Sequence, residues 1–110
     1  MVVHIVFWKL REDGEESKEQ RIQTMKEKLE ALVGIVPGLL SAEVGKNYNG
    51  GEYDICLFSR LKDRAALEGY AVHPEHLKAA EYVRASTCGR TAVDYDSDGE
   101  LDDPVDPYSF

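Results

Sequence analysis

Val2-Val3-His4-Ile5-Val6-Phe7-Trp8-Lys9 opens the chain with β-branched and aromatic residues at nearly every position, a composition that suits a pleated strand. Successive strand side chains point to opposite faces, so this strand is apolar on both. Ile55-Cys56-Leu57-Phe58 repeats the pattern. A strand of this kind expects cover on each side, and what supplies that cover settles the architecture.

Reading outward, Ser17 followed by Gln20 has the form of a capping box. The apolar positions Ile22, Met25, Leu29, Leu32, Val33 and Val36 then fall on one helical face, and Pro37-Gly38 ends the helix. Leu40, Ala42 and Val44 alternate with polar residues as a half-buried strand. Asn49-Gly50-Gly51 signals a hairpin, with the return strand at Tyr53 to Leu61. Asp63 caps a short turn through Leu67. Pro74 to Ala85 predicts a helix with Leu77, Ala80 and Val83 inward, and Thr87 to Tyr95 a final strand.

The order is therefore β-α-β-β-α-β, an α+β fold with a ferredoxin-like antiparallel sheet. Both crossovers should be right-handed, which places the helices on one face of the sheet. One chain then covers one face only. The simplest cover for the other is a second copy across a two-fold axis, so a homodimer is expected.

With 110 residues the chain is one domain by size. The net charge of −8 opposes a nucleic-acid partner, which calls for a basic patch. Asp94 to the end holds six Asp and one Glu without Lys or Arg, leaving about −1 for the preceding body. The expected division is a domain over 1–96 and an acidic tail over 97–110. No apolar run approaches the ~20 residues of a membrane span, and no signal-peptide pattern opens the chain. Cys56 and Cys88 lack a CxxC spacing, which fits a reduced, cytoplasmic chain.

The opening VVHIVFWKL, the strand GLLSAEVGKNY, the run YDICLFSRLKDRAALEGY and above all YAVHPEHLKAAEYV resemble the stress-responsive A/B barrel (Dabb) family, over about residues 1 to 95. The resemblance implies a ferredoxin-like protomer and a dimeric α+β barrel. Most members have no established activity. A plant polyketide cyclase of the family works without metal or organic cofactor, so no cofactor is expected here. By that likeness His4 matches a pocket histidine, Tyr70 and His76 match an acid–base pair, and Val6 and Trp8 match positions lining a cavity. Met25 and Leu29 are expected to complete the apolar wall.

The chemistry suits those residue types. Imidazole titrates near neutrality and can accept a proton, while a phenol can donate to a carbonyl oxygen. His76 falls in the first helical turn, where the positive helix end favours its neutral form. The plainer readings are that His4 is a hydrogen-bonded core residue and that Tyr70 and His76 only pack and cap. His73 before Pro74 reads as an N-cap; with His76 it makes an H-x-x-H pair lacking a third ligand, so no metal site is expected. Asp94, Asp96, Asp98, Gly99, Leu101 and Asp102 imitate the first part of an EF-hand loop. Val105 stands where its Glu belongs and Pro104 precedes it, so a solvated acidic tail is the better reading.

Two functions follow as expectations. One is a non-catalytic dimer binding a small apolar or aromatic molecule between sheet and helices. The other is a cofactor-free lyase, isomerase or cyclase using Tyr70 and His76. A cofactor-free monooxygenase has no separate motif in this sequence.

Overall fold

The computed structural model describes residues 1–97. Their order is β1 (Val2–Leu10), α1 (Lys18–Glu30), β2 (Leu39–Lys46), β3 (Ile55–Leu61), α2 (Arg64–Val72), α3 (Pro74–Ser86) and β4 (Thr87–Asp96). The strands form one antiparallel sheet in the order β2-β3-β1-β4, the ferredoxin-like arrangement.

Alternation along β1 sorts the layers. Val2, Val6, Trp8 and Leu10 join Met25 and Leu29 of α1, Tyr70 of α2, and Ala79 and Val83 of α3 in one buried cluster. All three helices thus lie on one side of the sheet. On the other side Ile5, Phe7, Cys56 and Phe58 are half-buried, and Val93 and Tyr95 are 51% and 47% exposed. Phe7 packs on Tyr53 with ring centroids 5.8 Å apart. Among the described residues no second helical layer covers this face.

The caps form as the sequence predicts. Gln20 N donates to Ser17 Oγ and Ser17 N to Gln20 Oε1, a reciprocal pair whose N-cap half is worth about 1 kcal/mol. Asp63 accepts from Ala66 N. Five expectations need correction. Helix α1 ends at Glu30, and turns carry residues 31–36, so Val33 is exposed while Leu32 and Val36 stay buried. In β2 the register shifts between Leu39 and Ser41; the bulge buries Leu39 and leaves Leu40 53% exposed. Helix α3 presents Ala79, Val83 and Ser86 to the core, and Leu77 is 46% exposed. The turn expected at Asp63 is a full helix, α2, and the return strand starts at Ile55 rather than Tyr53.

The tail expectations largely lie outside the described residues: Asp98, Gly99, Leu101, Asp102, Pro104 and Val105. Asp94 and Asp96 belong to β4 and are engaged there, with His4 and Arg64 respectively. Among the described residues no helix is long and apolar enough to cross a membrane.

Candidate functional site

His73 builds the site locally. Its restricted backbone before Pro74 (φ −64°, ψ 134°) makes it both the C-cap of α2 and the N-cap of α3. Its backbone N donates to Tyr70 O at 3.3 Å, its Nδ1 accepts from Glu75 N at 3.1 Å, and its carbonyl accepts from Leu77 N at 2.9 Å. The chain therefore turns sharply between helices. That elbow brings Tyr70, near the end of α2, against His76, in the first turn of α3.

The two rings lie with centroids 4.1 Å apart and planes inclined by 41°. Tyr70 also meets His4 of β1 edge-to-face at 6.0 Å. His4 pairs with Asp94 of β4, and its Nδ1 is hydrogen-bonded to Asp94 Oδ1. Four polar side chains thus run in series from β4 through β1 and α2 to α3.

Their electrostatics set them apart. Burial pushes the Tyr70 phenol up to about 12, so it stays protonated near neutrality and keeps a hydrogen to donate. His76 lies below the ordinary imidazole value. Burial is the main cause, the Ala71 backbone opposes it, and the charges of His4, Arg84 and Arg90 add to it. The helix end invoked for His76 is thus not the leading cause. Nδ1 of His76 is sealed from solvent without a hydrogen-bond partner among the described residues, and such a group carries a free-energy cost of about 1–3 kcal/mol.

Two clefts lie along β4. One, of about 670 Å³, is lined by Trp8, Ala80, Val83, Arg84, Thr87, Cys88, Gly89 and Arg90. The other, of about 350 Å³, lies among Val2, Arg64, Leu67, Glu68, Asp94, Tyr95 and Asp96. On α3, His76, Ala80, Val83 and Arg84 fall on one helical stripe by their spacing, which places His76 one turn before the α3 residues that line the larger cleft. Trp8 lines that cleft. Val6, Met25 and Leu29 do not: they are 1%, 0% and 3% exposed within the core, and α3 supplies the wall in their place. A cavity of about 340 Å³ lies on the opposite face of the sheet, around Phe7, Tyr53 and Cys56; of the four polar residues only Asp94 lines a cleft, the smaller one.

Asp94 is the site residue that sequence reasoning missed. It reads as the start of an acidic run, and only its register opposite His4 reveals the pairing. Among the described residues no group of three or more His, Cys, Asp or Glu is placed to hold a metal ion. Cys56 and Cys88 are free.

Residues 2–97 match the family described as the Stress responsive A/B Barrel Domain. No curated protein matches the chain. Among solved structures, a dimeric protein of unknown function with a ferredoxin-like fold from Bacteroides fragilis is 34% identical. The match covers 87% of this chain and 95% of that one, with a TM-score of 0.76. A dimeric ferredoxin-like protein of unknown function from Jannaschia is 28% identical, covering 87% and 98%, TM-score 0.75. The hydroxynitrile lyase of Passiflora edulis shares the fold at 16% identity, covering 91% and 95%, TM-score 0.75.

Proposed function

The chain belongs to the stress-responsive A/B barrel family, and from that premise we propose that it works as a homodimer binding a small apolar or aromatic molecule between sheet and helices. The dimer reading is supported by the uncovered apolar face of the sheet and by relatives described as dimeric. The ligand reading rests on one observation above others. A cleft along β4 joins an apolar wall of Trp8, Ala80 and Val83 to a few polar groups, the combination that small-molecule sites use, and His76 of the Tyr70–His76 pair stands one helical turn before Ala80 on α3.

Trp8 is the single tryptophan of the chain, so its fluorescence reports on the cleft directly. Titration with a panel of small aromatic compounds should quench or shift that emission saturably. Native mass spectrometry of freshly purified protein should show a dimer carrying bound small molecule. Monomer in solution, or emission indifferent to the whole panel at millimolar concentration, would count against the proposal.

A second reading is favoured by the electrostatics: a neutral His76 with an unpartnered Nδ1 beside a protonated Tyr70. In it His76 accepts a proton from an activated carbon or hydroxyl, and Tyr70 donates a hydrogen bond to the oxygen where charge develops. No cofactor is invoked.

A further inference from the structure

The two clefts along β4 carry opposite charge. The smaller is lined by Glu68, Asp94 and Asp96 against a single Arg64, and Arg64 is bound to Asp96 through Nε at 3.0 Å. The larger is lined by Arg84 and Arg90 with no Asp or Glu at all. Neither of these arginines is in an ion pair with another described residue. In a chain of net charge −8, a cleft lined by two arginines and no carboxylate goes against the general balance.

The fold aims them together. Arg90 is the β4 partner of Trp8, so its side chain leaves the sheet on the helix-facing side. Arg84 lies two turns beyond His76 on α3, so the Cα atoms are about 12 Å apart along the axis. Between them stand the small Ala80 and the apolar Val83, facing Trp8 across the cleft. Both arginines act on His76, each lowering its basicity, as expected of charges gathered around one cavity.

We propose that the larger cleft takes an aromatic carboxylate, its ring body against Trp8 and Ala80 and its carboxylate held by Arg84 and Arg90. This deepens the ligand reading above and rests on it. Guanidinium groups match the planar, two-oxygen geometry of a carboxylate through paired N–H donors. With its carboxylate anchored at Arg84 and Arg90, the molecule lies with its neutral end along Trp8 and Ala80.

The test uses the full chain, with 1-naphthoate, its uncharged amide 1-naphthamide, and inorganic phosphate as probes, followed by Trp8 fluorescence and calorimetry. Naphthoate should bind at least about tenfold more tightly than the amide, the worth of one charge-assisted hydrogen bond. Arg84→Gln and Arg90→Gln should each remove most of that preference while leaving amide binding unchanged, and Arg→Lys should restore only part. Equal affinity for acid and amide, or a preference that survives in the double Gln variant, overturns the carboxylate assignment and leaves the apolar cleft standing. Phosphate binding as tightly as naphthoate overturns the aromatic half of it. Failure of both naphthyl probes to bind overturns this inference together with the ligand reading on which it rests.

Discussion

Tyr70 and His76 touch across a helix–helix elbow, ring centroids 4.1 Å apart, although five residues, a proline among them, separate them in sequence. Neither helix alone creates that contact, because residues six apart lie on different sides of a continuous helix. The turn at His73 creates it.

Removing the Tyr70 hydroxyl tests the pair without emptying the core. Tyr70 is 4% exposed and belongs to the buried cluster, so Tyr70→Phe keeps the packing and should change stability by less than about 1 kcal/mol. Ligand binding should weaken. If a reaction is catalysed, kcat should fall by roughly 10²–10⁴. Denaturant titration and steady-state kinetics measure the two effects separately.

The depressed basicity of His76 predicts a pH dependence of stability. Its folded-state pKa is lowered mainly by burial, so the unfolded chain takes up the proton first as pH falls. Stability is then full above the unfolded value, about 6.5, and declines as pH drops through the folded value. Melting temperatures recorded between about pH 7 and 5 should fall. His76→Gln should flatten that slope, and an unchanged slope would show that another group sets it.

A charge on the uncovered face tests the dimer. Phe7 is half-buried there beside Tyr53, and Phe7→Glu would place a carboxylate in the proposed interface at a cost of several kcal/mol. Sedimentation should show monomer or aggregate. A folded dimer after this change would exclude Phe7 from the interface.

Gly38 offers a control far from the chemistry. It has φ 80°, and an added Cβ would stand 2.5 Å from Ala66 Cβ, so Gly38→Ala combines left-handed strain of about 1–2 kcal/mol with a clash against α2. Gly34 shares the backbone angle, at φ 88°, with nothing within 4 Å; Gly34→Asn should cost little, since Asn tolerates that region. Urea unfolding should rank the two clearly.

Much of this was legible before any coordinates. The Ser17–Gln20 capping box, the Asp63 and His73 caps and the doubly apolar first strand follow from local rules that tertiary structure did not override. Leu40 misled because it is the extra residue of the bulge between Leu39 and Ser41, without a partner on β3, and no local signal marks it. Val33 continued the helical spacing past Glu30, where the chain had already turned. His4, Tyr70 and His76 were nameable through family likeness, but the partnership of His4 with Asp94 needed the pairing of β1 with β4. Met25 and Leu29 were assigned to a cavity wall because periodicity identifies a buried face without saying whether that face meets a ligand or a neighbouring strand.

The double duty of His73 has a consequence for how this fold can diversify. One residue ends α2, begins α3 and so sets the distance between Tyr70 and His76. The sheet contributes the walls around them but not their spacing. Substitutions along β1, β4 or the later turns of α3 can therefore alter the shape and charge of the cleft while the aromatic pair keeps its geometry. An inherited elbow with replaceable walls lets one scaffold try many ligands, and the same short segment could be transplanted as a unit into another helical pair.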